Sequence, residues 1–177
     1  MKSLVCRLAV LTLVHLASFA YAFAQDSKSA RIQPSCGPSD VQFEVGTSKR
    51  QPDATMEPGK AQVYVIQVVR TPFFEPASPT IRVAVDGSWI GATKGNSYVN
   101  FSVDPGEHHL CVQWQSSLKS RSDKAVFSSL SAEEGKKYYF RSLFTLREHA
   151  LDLERLDPDE GRFLVSSSAL SIPHPKK

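Results

Sequence analysis

From Ala61 to Leu156 the chain sets short runs rich in valine, isoleucine and aromatic residues between glycine, proline and aspartate punctuation. Side chains of an extended strand point to opposite faces in turn. Alternating runs that are interrupted this often fold into chain-reversing strands and leave no room for long helices. "AQVYVIQVV" (61–69) is apolar on both faces, as a central strand is. "IRVAV" puts Ile81, Val83 and Val85 on one face and Arg82 and Ala84 on the other. Asp86-Gly87 follows, a hairpin turn whose two central residues need positive φ. "SWIGA" returns, "KGN" turns, and "SYVNFSV" presents Val99, Phe101 and Val103 to a core. "KYYFRSLFTL" (137–146) places Tyr138, Phe140, Phe144 and Leu146 together, and "LDLERL" (151–156) pairs back. Seven or eight short strands joined by hairpins predict an all-β fold, mainly antiparallel, as a β-sandwich or open barrel.

The period changes once. Asp157, Pro158 and Glu160 form a helix-start signature: an N-cap, a proline at the first helical position and an acid in the first turn. A short helix near the C-terminus is expected there, with Phe163, Leu164 and Leu170 able to pack onto the sheet. The predicted organisation is a signal peptide at 1–24, a flexible leader with one short strand at 25–58, the β-sandwich domain at 59–170 and a disordered tail at 171–177.

The first segment carries Lys2 and Arg7, an apolar run from Leu8 to Phe19, and Ala22-Phe23-Ala24, a small-x-small cleavage pattern. That run is shorter than the ~20 residues a membrane span needs. Cleavage after Ala24 and a secreted or periplasmic location are expected, with no stable membrane span. Of the three cysteines, this would leave Cys36 and Cys111. An oxidising compartment favours a disulfide between them, the alternative being two separate thiols. The net charge of +3 leaves no footprint for nucleic acid.

"VDPGEHHLCVQW" (103–114) looks like a metal or catalytic cluster, yet it reads as a return strand. His108 then shares a face with Leu110, Val112 and Trp114, and His109 with Cys111 and Gln113. Adjacent rings on opposite faces do not ligate one ion unless a bulge intervenes, and a His109–Cys111 pair supplies only two of four zinc positions. Asp152 and Glu154 share a face at a spacing that acid/base chemistry uses, but an edge strand also shows acids to solvent. G-x-S-x-G, H-E-x-x-H and glycine-rich nucleotide loops are absent from the sequence. No catalytic residue, metal or cofactor is assigned. Candidate contact residues are instead Trp89 and Tyr98, an aromatic pair of the kind that stacks on sugars, with Lys94, Lys119 and Arg121 in loops that suit an anionic partner.

Three stretches, "GKAQVYVIQ", "VAVDGSWIGATKGNSYVNFSVDPGEHHLC" and "AEEGKKYYFR", resemble an uncharacterised bacterial family, domain of unknown function 2846, in content and order. The resemblance covers about residues 59 to 165. It implies a secreted or envelope-associated β-domain and carries over no reaction. The expected function is therefore a non-enzymatic exported module that binds or supports, with an envelope protein or polysaccharide as partner. The alternatives are a glycan-binding accessory module and a metal-dependent hydrolase using His108, His109 or Asp152.

Overall fold

The computed structural model describes residues 36–49, 56–70, 78–116, 124–145 and 150–176. In chain order the elements are β1 (Phe43–Ser48), β2 (Ala61–Arg70), β3 (Thr80–Val85), β4 (Ser88–Lys94), β5 (Ser97–Val103), β6 (Gly106–Gln115), β7 (Ala125–Ala132), β8 (Lys137–Thr145), β9 (Ala150–Arg155), α1 (Pro158–Ser167) and β10 (Ala169–Pro175). They build two sheets, a larger one in the order β1-β10-β5-β2-β8-β9 and a smaller one in the order β4-β3-β6-β7. The arrangement is a sandwich and the sheets do not close into a barrel.

The alternation read from the sequence places the core. Val63, Val65, Val99, Val103, Tyr138, Phe140 and Phe144 of the larger sheet meet Ile81, Val83, Val85, Leu110, Val112 and Trp114 of the smaller one. Trp114 and Phe144 cross edge to face with ring centroids 4.7 Å apart, a favoured aromatic geometry. β2, apolar on both faces, lies between β5 and β8. Its outward residues Tyr64 and Ile66 join Tyr98, Tyr139 and Leu156 under α1. The helix begins as its sequence signature requires: the Asp157 side chain accepts from the Asp159 N–H, and Pro158 opens the first turn.

The structure departs from the sequence reading at three points. The stretch expected to be a tail forms β10, which pairs antiparallel with β1 and parallel with β5. Residues 36–48 likewise belong to the sandwich, so the domain does not start near Gly59. Third, several turns expected to close hairpins carry the chain between sheets. β4 lies in the smaller sheet and β5 in the larger, and β5–β6 and β7–β8 cross in the same way. Turn chemistry reports that a chain reverses; it does not report which sheet receives the next strand. These crossings bring β2 and β8 together as parallel neighbours.

Candidate functional site

The outer face of the smaller sheet gathers the most unusual side chains. Register across β4, β3, β6 and β7 aligns Trp89, Ala84, Cys111 and Phe127 in one row. The next row holds Ala92, Arg82, Gln113 and Ala125, and a third holds Lys94, Thr80 and Gln115. A register shift in β4, between the partners of Val83 and Ala84, brings Trp89 onto this face.

Residues 36–43 form a strap, with a turn at Ser39–Asp40, that crosses the rows in order. Cys36 is disulfide-bonded to Cys111, with Cα atoms 5.2 Å apart. The Trp89 indole N–H donates to the Pro38 carbonyl at 2.7 Å. Arg82 Nη1 donates to the Val41 carbonyl at 2.6 Å. The Gln115 carboxamide grips Phe43 at both main-chain groups, accepting from its N–H at 2.7 Å and donating to its carbonyl at 2.8 Å. Gly37 is required where the strap passes Trp89. Its φ is +126°, and a Cβ there would lie 2.9 Å from the indole nitrogen.

Arg82 is the centre of the arrangement. It is only 4% exposed. Its Nη2 donates to Gln113 Oε1 at 2.6 Å and its guanidinium carbon sits 4.3 Å from the Trp89 ring centroid. No carboxylate pairs with it among the described residues, and its Nε has no hydrogen-bond partner. Burial accordingly lowers its pKa from the ordinary arginine value. A buried cation of this kind is held by carbonyl oxygens and a ring face in place of an acid.

The two histidines separate as the alternation implies. His109 is exposed on the face of the disulfide. His108 lies on the core side, at the rim, with Nδ1 2.6 Å from Asp86 Oδ2 and Nε2 2.7 Å from the Asp104 carbonyl. Asp86 Oδ1 also accepts from the His109 N–H at 2.8 Å. Burial pulls the His108 pKa down, but the hydrogen bonds to Asp86 and Asp104 and the charges of those acids outweigh it and raise it. Burial likewise pushes Asp86 up, and the contacts from His108 and His109 outweigh that, leaving it lowered. With an acceptor at each ring nitrogen, His108 donates from both when protonated. It fastens the Asp86-Gly87 turn, where Asp86 has φ +51°, to the turn that begins at Asp104.

The remaining sequence-predicted residues do not converge. Trp89 is half-buried beneath the strap, whereas Tyr98 is 3% exposed and packs beside Tyr64 on the opposite side of the sandwich. The crossing between β4 and β5 separates them, so they do not make one stacking surface. Lys94 is exposed at the third row. Lys119 and Arg121 lie outside the described residues. Asp152 caps the Leu153 N–H, and Glu154 pairs with Arg141, which also holds Glu160 of the helix at 2.8 Å. Among the described residues no three His, Cys, Asp or Glu side chains cluster as a metal site requires, and no helix is long and apolar enough to cross a membrane. Arg82, Gln113 and Gln115 were missed by sequence reasoning. Their signal was there: Gln113 and Gln115 share a strand face with Cys111, and Arg82 interrupts an otherwise apolar strand.

Residues 57–152 match a family model whose description is "Protein of unknown function (DUF2846)". No curated protein and no solved structure matches the chain. The matched span runs from just before β2 into β9, so the strap, β1, α1 and β10 lie beyond it.

Proposed function

This chain belongs to the DUF2846 family, and from that premise we propose that it is a non-enzymatic, exported β-domain serving the bacterial envelope as a binding or structural module. The observation that carries this reading is the strap fastened across the smaller sheet by Cys36–Cys111. A disulfide of this kind suits an oxidising compartment. It also stiffens the platform on which exposed residues are displayed, and a rigid scaffold lowers the ordering cost of binding. Lys94 on the third row and Phe127, 53% exposed in the first, flank the strap on the same outer face. Lys119 and Arg121 add two basic residues in the sequence between β6 and β7.

Affinity capture from envelope extracts tests the reading. The wild-type chain and a Lys94→Glu/Lys119→Glu/Arg121→Glu variant are compared, with thermal melts checking that both fold. A defined set of components retained by the wild type and lost by the variant is expected. Identical components on both would remove the basic loops as the contact surface. Affinity electrophoresis on neutral and acidic polysaccharides separates the glycan-binding form of the reading, in which the wild type alone is retarded.

A further inference from the structure

We propose that the outer face of the smaller sheet is an exchangeable seat for a Cys-Gly segment, and that a second copy of this chain fills it with its own residues 36–48. The inference goes beyond the binding role above and does not depend on it.

The seat recognises main chain more than side chain. Trp89 and Arg82 take the carbonyls of Pro38 and Val41, and Gln115 takes both main-chain groups of Phe43. What the seat selects is a cysteine in register with Cys111, followed by a glycine able to pass Trp89. A second copy presents that dipeptide in the same register.

The seat also has a reason not to stay empty. Without the strap, Arg82 would lose the Val41 carbonyl while its Nε already lacks a partner. A buried cation stripped of acceptors is costly, so an occupant is required from one copy or the other. Downstream, β1 pairs with β10 through six residues, Phe43 to Ser48. Eight residues, 49 to 56, separate Ser48 from the turn that the Lys60 N–H closes on the Glu57 carbonyl. Eight residues reach at most ~28 Å, enough to pass from one copy to a neighbour in contact with it. Every contact of the seated segment is the same whether it comes from its own chain or from the other. Exchange of an identical element is a low-cost route to a dimer. The balance then depends on protein concentration against the effective concentration of the tethered segment, on the order of millimolar for a short linker.

The covalent step balances with a small-molecule disulfide as oxidant. The Cys36 thiolate attacks the reagent disulfide and displaces one thiol. Cys111 of the second copy then attacks the mixed disulfide at the Cys36 sulfur and displaces the other thiol. One protein disulfide forms, one reagent disulfide is consumed, and the two cysteine protons end on the two released thiols.

The test uses the full chain carrying Cys6→Ser, so that Cys36 and Cys111 are its thiols. Equal amounts of nitrogen-15-labelled and unlabelled chain are mixed, reduced, unfolded and refolded with glutathione disulfide at about 10 µM and about 1 mM protein. Effective concentrations near millimolar predict at least a tenfold rise in covalent dimer between the two conditions. Peptide mass analysis of that dimer is expected to show Cys36 joined to Cys111 with a labelled and an unlabelled partner, in either orientation, in about half of the links, the statistical value for equal mixing. Dimers joined through like cysteines overturn the proposal. So do links confined within single copies, or an unchanged monomer at the higher concentration.

Discussion

The two outer faces of the sandwich are covered in opposite ways. On the larger sheet, α1 lays Leu164 and Val165 over Tyr64, Tyr98 and Tyr139, and Gly161 lets the helix approach so closely that any Cβ would collide with the Tyr139 ring. That cover is held mainly by apolar burial, which is non-directional and proportional to area, with the Arg141–Glu160 ion pair beside it. On the smaller sheet the cover is a strap that buries Cys36 and Phe43 at its two ends and is held along its length by directed hydrogen bonds and one covalent bond. A segment reading "CGPSDVQF" buries its ends but has little to bury between them, so it needs specific partners, a fastening that chemistry can undo.

The largest expected effect comes from breaking the covalent half of that contrast. A Cys36→Ser/Cys111→Ser variant removes a cross-link between residues 75 apart in sequence and should lose about 4 kcal/mol in the chain-entropy model, measured by urea unfolding. Amide exchange should rise across the strap and β1 while α1 stays protected; equal deprotection of both covers would mean that they are not independent. Gly161→Val attacks the other cover and should cost about 3 kcal/mol, the upper end for overpacking. There the exchange pattern should invert, with α1 opening and the strap unchanged.

Arg82→Ala tests whether directed bonds hold the strap. It strands the Val41 carbonyl and should cost about 2 kcal/mol, with Trp89 fluorescence shifting as the strap lifts. The smallest effect belongs to the rim, outside both covers. The raised His108 pKa contributes stability that is full below the ordinary histidine value of 6.5 and fades as pH rises through the raised value. The lowered Asp86 pKa contributes above the ordinary 3.8 and fades as pH falls through the lowered value. The tie should therefore be strongest between those two ordinary values. Because Asp86 is half-exposed, about 1 kcal/mol is expected. A His108→Gln variant should flatten the stability profile over this window, and an unchanged profile would remove the tie.

Strand identity and core face were legible because they follow from local alternation: Ile81, Val83 and Val85 had to share one side, and they line the core. The separation of the two histidines was legible for the same reason. Connectivity was not. "KGN" between β4 and β5 carries the same turn chemistry as a hairpin, yet the chain changes sheet there, and with it Tyr98 leaves the side that holds Trp89. β10 was hidden because "ALSIPHP" carries two prolines, which belong at sheet edges. It forms a strand with partners on both sides because β1 and β5 supply them from distant parts of the sequence. The strap was hidden for a related reason: its partners are side chains on a sheet face, and no local pattern announces them.

Among the described residues β1 has β10 as its sole sheet neighbour, and this sets an order of assembly. A ribosome makes β1 before any other strand described and β10 after all of them. During synthesis the earlier partner must wait, its main-chain groups hydrated, until the later one has been made. The larger sheet is thus finished by joining the oldest and youngest strands, and a premature stop before Ala169 would leave β1 without a ladder to complete.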